Sequence, residues 1–138
     1  MQTSVIDVHT GSQSRVTDLS GEIARFLTEV NADDGLLHVF VPHATAGVAI
    51  IETGAGSDED LLTALDDTLP RDRAGEWIHQ HGTPGHGRDH VVPAYVAPFT
   101  VVPVLSRELA LGTWQSVCLV DTNVDNPDRT VRLSFLSG

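Results

Sequence analysis

Lysine is absent from this sequence of 138 residues, in which eight arginines stand against 19 acidic residues. Catalysis through a lysine Schiff base and phosphate binding by a P-loop are therefore excluded, because both need a lysine. The formal net charge is −11 and the arginines are scattered, so we expect no binding to nucleic acid or to anionic lipid. An anionic ligand would have to use arginine, backbone amides or a metal ion.

Cysteine and long apolar runs are also scarce. The single Cys118 cannot form an intramolecular disulfide, and its apolar surroundings are typical of a buried, unreactive thiol rather than a catalytic one. No apolar run reaches the roughly 18 residues that a membrane helix needs. The N-terminus lacks the basic and apolar regions of a secretory signal. We therefore expect a cytoplasmic protein without a membrane partner.

The pattern of apolar residues predicts an α+β fold, with one domain over residues 1–138. Apolar side chains at helical spacing predict one helix from Ser20 to Val30 and another from Ser57 to Leu69. Ser57 is expected to cap the second helix, whose first turn carries three acids, as the helix dipole favours. Because short turns connect the strands of the second half, antiparallel pairing is expected. Strands are predicted at 5–10, 36–41, 48–51, 99–105, 112–121 and 129–136.

Three details of the strands bear on packing. The strand 36–41 is apolar on both faces, which predicts an interior strand, and His38 within it is expected to be a hydrogen-bonded core histidine. Trp114 is expected to pack into the core or against another subunit. The segment 91–98 holds two prolines and is expected to be irregular.

Four of the seven histidines, His79, His81, His86 and His90, lie within twelve residues. Glycines and a proline separate them, which predicts a loop that folds back on itself. Clustered imidazoles indicate a metal site or proton transfer, because histidine serves both near neutral pH. A solvated glycine-rich loop with incidental histidines is the alternative.

The spacing of these histidines fits metal ligation. His79 and His81 point the same way if their segment is extended. His86 and His90 share one face if a helical turn follows Gly87. Either pair could occupy two positions around a zinc ion, with a third ligand from elsewhere in the chain.

His43 is the natural candidate for that third ligand, because it ends a strand and precedes small residues. The backbone amides of Thr45, Ala46 and Gly47, together with the Thr45 hydroxyl, would suit a phosphate or carboxylate. A tight strand connection with a surface histidine is the alternative.

Glu52 ends the next apolar strand. It is either a solvated acid or, if it reaches the histidines, a general base or a partner of the metal. No Gly-x-Ser-x-Gly motif provides a nucleophile instead.

Taken together, these residues resemble the YjbQ-like family, whose members are often labelled secondary thiamine-phosphate synthase enzymes. The similarity runs from the first strand to Phe135 and is most specific in the runs 43–47 and 111–115, His-Ala-Thr-Ala-Gly and Leu-Gly-Thr-Trp-Gln. It implies a compact α+β fold, a homotrimer, and a histidine site that binds a metal or an anion.

The resemblance also implies roles for individual residues. His43, His79 and His90 would hold a divalent metal, most plausibly zinc, and Glu52 would act as a base or partner. A phosphorylated small molecule would bind the metal and the amides of residues 45–47. A non-catalytic metal- or anion-binding oligomer is the alternative.

The chain also departs from the pattern typical of this family. Ile51 and Thr53 replace asparagines beside Glu52, and Val92 replaces a lysine. His81 and His86 are additional to the family pattern, and they or Arg88 could compensate as ligand contacts.

Overall fold

The computed structural model describes residues 1–72 and 77–138. The elements follow one another along these residues in an order that mixes strands with short helices. They are β1 (Gln2–His9), β2 (Arg15–Asp18), α1 (Ser20–Glu29), β3 (Gly35–Phe40), β4 (Ala46–Ile51), α2 (Ser57–Thr68), a 3-10 helix (His86–His90), α3 (Val92–Tyr95), β5 (Phe99–Leu105), β6 (Glu108–Leu109), β7 (Ser116–Asp121) and β8 (Asp128–Ser137).

These strands form two antiparallel sheets. One has the order β1-β8-β3-β5-β6 and the other the order β2-β7-β4. The core lies where the inner faces of the sheets meet α1, and it includes Leu37, Leu119, Leu133 and Phe26. Each such side chain stabilises the fold by about 1.5–3 kcal/mol relative to an exposed position. The predicted α+β class with antiparallel strands is confirmed.

Both predicted helices are present. In α1 the apolar stripe is buried, as expected, through Ile23, Phe26 and Leu27. In α2 the three acids occupy the first turn, but Ser57 is itself the first helical residue and makes no capping hydrogen bond. The prediction that Ser57 caps α2 was therefore wrong, because Gly56, in a left-handed conformation, occupies the N-cap position.

Several other details differ from the predictions. The short β2 was not predicted, because its four residues lack a distinct alternation. β7 begins at Ser116, since Gln115 closes a turn by donating its N–H to the Gly112 carbonyl at 3.0 Å. This turn leaves Trp114 73% exposed, so it does not pack into the core of the chain. Residues Val92–Tyr95 form a helix, with Pro93 near its start, where a proline is tolerated.

β3 is central, as predicted, and pairs with β8 on one side and β5 on the other. Its outer face is open, however, and His38 is half-buried there against the rings of Phe40 and Phe99 rather than in the core. Leu36 and Val101 on the same face are about half exposed. No helix in residues 1–72 and 77–138 has both the length and the apolar character needed to cross a membrane.

Candidate metal centre

The four histidines of the loop converge in space. One ring nitrogen from each of His79, His81, His86 and His90 lies within 4.8 Å of the nitrogens of the other three, and we call this group the histidine cluster. The closest approach is between Nε2 of His86 and Nε2 of His90, at 2.9 Å. The ring centres of His79 and His90 are 4.0 Å apart, and those of His79 and His81 are 4.2 Å apart.

Two segments of the loop, which we call its limbs, bring these rings together. The 3-10 helix His86–His90 carries two of the histidines, and the segment 77–81 carries the other two. The limbs cross at Gly87, where a Cβ atom would lie 2.4 Å from the carbonyl oxygen of His79. Glycine is therefore required for this crossing, since any other residue would push the limbs apart.

A buried carboxylate anchors the helical limb to the sheet. Asp89 is fully buried and accepts hydrogen bonds from both terminal nitrogens of Arg71 at 3.1 Å and from the Thr122 hydroxyl at 2.8 Å. Thr122 directly follows β7, so the cluster is held at the end of the smaller sheet. Buried charges need such partners, because an unpaired carboxylate would be costly to desolvate.

Arg88 is buried beside this carboxylate. It is 1% exposed and donates to Asp66, to the Leu69 carbonyl at 3.0 Å and to Asp89 at 3.3 Å. The guanidinium thus connects the end of α2 to the 3-10 helix. Arg88 is therefore an ion-pair partner of Asp66 and Asp89 in this structure.

The electrostatics of the cluster favour neutral imidazoles. Desolvation and then the neighbouring His81 and His86 lower the pKa of His79. Desolvation and the other three rings lower the pKa of His90, against a raising effect of Asp89. A neutral imidazole has a free lone pair, which is the form that a metal ion binds.

An open cavity of about 540 Å³ adjoins the cluster. The residues that line it include three of the histidines and three neighbouring residues: His79, His81, His86, Trp77, Arg71 and Asp72. This volume is within the usual range of small-molecule sites.

The structure places His43 apart from this group. Its Nε2 accepts the Thr130 backbone N–H at 2.9 Å, and burial, followed by the charge of Arg129, lowers the pKa of the ring. A neutral ring that accepts at Nε2 carries its proton on Nδ1, so neither nitrogen offers a free lone pair. In this conformation His43 lies outside the histidine cluster, and its Nε2 would have to release the Thr130 N–H before it could bind a metal.

The other residues of the predicted site also have structural surroundings. The Thr45 hydroxyl is buried and accepts from Arg129 at 2.9 Å. Ala46 and Gly47 belong to β4, where they are buried and pair with Asp121 and Val120 of β7. Such strand positions are shielded from an anion in solvent.

Glu52 follows the end of β4 and is half-buried, with no hydrogen bond or ion pair to another described residue. Of the four members of the cluster, the resemblance assigned His79 and His90 to the predicted metal site and left His81 and His86 as additions. It did not identify Asp89 or Asp125, whose roles depend on contacts across the fold. His86 Nδ1 lies 2.7 Å from Asp125 Oδ2.

The fold and the cluster define an α+β protein of two antiparallel sheets that holds four histidines on one loop. A family model described as "UPF0047 protein YjbQ-like" matches residues 4–138, and the chain belongs to this family. The predicted resemblance is thus confirmed.

Relatives cover the chain from end to end. The UPF0047 protein Rv2556c of Mycobacterium tuberculosis is 57% identical over 138 residues, all of both chains. YugU of Bacillus subtilis, another UPF0047 protein, is 28% identical and the match covers 81% of this chain and 83% of YugU.

Solved structures share the fold. A hypothetical protein from Aeropyrum pernix superposes with a TM-score of 0.88 at 32% identity, with all of both chains covered. A protein from Sulfolobus solfataricus, described as YbjQ-like and of unknown function, gives the same TM-score at 23% identity, covering 99% of this chain and 97% of its own. The comparisons establish a family whose function is not known.

Proposed function

We propose that this protein binds one divalent metal ion, zinc, in the histidine cluster, and that the metal centre acts on a phosphorylated small molecule. The observation that carries the proposal is the convergence of four ring nitrogens within 4.8 Å of one another. Around a tetrahedral zinc ion with bonds of about 2.0–2.1 Å the nitrogens lie about 3.3–3.4 Å apart, which is between the 2.9 Å of the His86–His90 pair and the 4.8 Å limit of the cluster. The proposed ligands replace His43 of the sequence-based set with His81 and His86.

The chemistry of the ligands supports zinc. Imidazole nitrogen suits zinc, whereas magnesium and calcium prefer oxygen ligands. Acids also surround the cluster, with Asp125 in contact with His86 and Asp72 lining the cavity. A dication would offset this negative charge.

The same ion would serve the binding of a phosphate. Arg88 and Arg71 are engaged by Asp66 and Asp89, and the chain has no lysine. A bound metal supplies Lewis acidity toward a phosphoryl oxygen and lowers the pKa of a bound water. The cavity would hold the rest of the molecule. Thiamine phosphate formation, which the family label implies, is the first activity to assay, and Glu52 is the candidate base.

A non-catalytic metal-binding role is the second candidate, and the number of ligands favours it. Structural zinc sites are closed by four protein ligands, whereas catalytic sites keep a position for water or substrate. Four histidines fill a tetrahedral shell. Catalysis would require the exposed His81 to leave the metal or the coordination to expand.

We also propose that the protein is a homotrimer, as the resemblance implies. The outer face of the larger sheet supports this, because it carries several half-exposed apolar side chains: Val5, Leu36, Phe99, Val101, Leu105 and Leu136. Contiguous apolar surface of this kind is typical of protein contacts. Light scattering should give three times the chain mass of 14.8 kDa.

Metal content tests the proposed centre. Protein prepared without a histidine tag and without chelator should contain about one zinc per chain by elemental analysis. His86→Ala and His90→Ala should lose the zinc, while His43→Ala should keep it. Metal-free wild-type protein would overturn the proposal. Zinc lost in His43→Ala and His90→Ala but kept in His86→Ala would restore the sequence-based ligand set.

Turnover is tested separately. If the zinc-loaded protein forms thiamine phosphate or converts another phosphorylated molecule, that activity should disappear with the metal and fall in Glu52→Gln. A zinc-bound protein with activity that Glu52→Gln leaves unchanged would remove Glu52 as the base. Zinc binding without any turnover would favour the non-catalytic role.

A further inference from the structure

We infer that Asp125 is the positioning residue of the histidine cluster, and that it determines which nitrogen of His86 faces the metal. Its carboxylate lies in the connection between β7 and β8, far from the loop in sequence. It nevertheless contacts two loop residues. Oδ2 lies 2.7 Å from His86 Nδ1 and accepts the Thr83 N–H at 3.1 Å, and Oδ1 accepts the Thr83 hydroxyl.

The contact with His86 has a chemical consequence. A carboxylate oxygen 2.7 Å from Nδ1 favours the proton on that nitrogen, so we expect the neutral ring in the Nδ1–H form, with its lone pair on Nε2. Nε2 is the atom that faces His90 Nε2 at 2.9 Å, within the cluster. A carboxylate behind a ligating histidine fixes the orientation of the ring and increases its basicity. Asp125 thus prepares His86 as a ligand.

Asp125 is itself held in place from the sheet. Its N–H donates to Asn123 Oδ1 at 2.6 Å, and the Asn123 N–H donates to the buried Asp121 at 3.0 Å. On the other side, a Cβ atom at Gly82 would lie 2.6 Å from Asp125 Oδ2, and Gly82 has a φ of 71°. A side chain at Gly82 would therefore collide with the carboxylate. The sequence predicted only short turns between the strands of the second half, and these contacts give Asp125 a role in the site.

The contacts of Asp125 with Thr83 alone could hold the loop in place. The variants must therefore distinguish this structural role of Asp125 from its role in positioning His86. Thr83→Val removes the hydroxyl bond to Asp125 but leaves the contact with His86. Asp125→Ala removes both. Asp125→Asn keeps an oxygen that can accept from Nδ1 but removes the charge. These three variants make a matched set. Because the Asp125 side chain is 29% exposed, the substitutions at this position change the molecule near its surface.

The experiment measures the tautomer of His86 and the zinc affinity. Long-range proton–nitrogen NMR of the metal-free wild type, at a pH where the rings are neutral, should show His86 protonated at Nδ1. Asp125→Ala should lose this preference and bind zinc about 10- to 100-fold more weakly in competition with a chelator. Thr83→Val should keep the wild-type tautomer, with zinc affinity close to that of the wild type. Asp125→Asn should keep the tautomer and bind zinc with intermediate affinity.

An unchanged tautomer in Asp125→Ala would overturn the inference. If that variant does not fold, an Asp125→Asn protein with wild-type zinc affinity would overturn it instead. The zinc readout rests on the proposed function, but the tautomer readout does not. A wild type that binds no zinc, yet shows the Asp125-dependent tautomer, would refute the proposed function alone. Equal zinc binding with an unchanged tautomer would refute the inference alone.

Discussion

The carbonyl oxygen of His79 lies so close to Gly87 that a Cβ atom there would be 2.4 Å from it. This approach is what allows the two limbs of the loop to cross, and the crossing places two histidines from each limb around one point. The geometry of the site therefore depends on a residue that has no side chain.

Gly87→Ala tests this dependence. The added methyl group should force the limbs apart at a cost of about 1–3 kcal/mol, as overpacking does, and should weaken zinc binding. Thermal unfolding and chelator competition measure the two effects. Gly21→Ala is the matched control, since its position in α1 is open. There the change should stabilise by about 0.5–1 kcal/mol through helix propensity. A Gly87→Ala protein that behaves like the control would contradict the crossing.

The free energy of unfolding of the metal-free protein should decrease as the pH is lowered. Burial lowers the pKa of His43, and desolvation with the neighbouring rings lowers the pKa of His90. As pH falls below about 6.5, the unfolded chain takes up protons that these folded rings do not, so the free energy of unfolding decreases. The loss is complete once the pH passes below the lowered pKa values.

Urea unfolding on both sides of this pH range measures the effect. A protein with His43→Gln and His90→Gln should show a flatter dependence than the wild type, because the two rings no longer take up protons on unfolding. Zinc binding should weaken over the same range, since protons compete for the imidazoles. Equal stability at both pH values would show that the folded rings titrate like free histidine.

Local patterns were enough to predict most of the fold. Ile23, Phe26 and Leu27 fall at helical spacing and are buried together in α1. The apolar run 99–105 likewise predicted a strand with the same bounds that the structure gives for β5. The start of β7 was missed because Trp114 suits a strand by residue type, while the turn at Gly112 decides its position.

The site was less predictable, because its geometry depends on contacts between distant residues. The position of His43 at a strand end predicted a metal ligand. In the structure, its Nε2 accepts a hydrogen bond from the N–H of Thr130 in β8. The resemblance to the family indicated His79 and His90 as residues of the site. Spacing alone could not show that His81 and His86 face the same point, since that follows from the crossing at Gly87 and the contact with Asp125.

Arg129→Met should destabilise the fold strongly. The Arg129 guanidinium is 3% exposed and donates to the fully buried Asp121 at 2.7 and 3.0 Å and to Thr45. Removing it leaves a buried carboxylate without its charged partner, which costs about 3–5 kcal/mol. Urea unfolding measures the loss, and Arg25→Met, at an exposed position of α1, is the control that should change little. A loss below about 1 kcal/mol in Arg129→Met would indicate that Asp121 finds another partner.

Cys118 should not react in the folded protein. Burial, with smaller contributions from Asp18 and Asp58, raises the pKa of its thiol to about 12, so almost no thiolate is present at neutral pH. A disulfide reagent should modify the thiol only after unfolding in denaturant. Rapid modification of the native protein would contradict its burial on β7.

Val101→Arg should dissociate the proposed homotrimer. Val101 is 48% exposed on the outer face of the larger sheet, where it lies opposite His38 of β3, with Phe99 exposed two residues before it on β5. An arginine there would place an unpaired charge in a contact between subunits, which is costly when water is excluded. Light scattering should then give a mass near 14.8 kDa instead of three times that value.

Ile50→Arg, at a 38% exposed position of the smaller sheet, is the matched control and should leave the trimer intact. A wild-type monomer would refute the trimer. A trimer that survives Val101→Arg but not Ile50→Arg would place the contact on the smaller sheet.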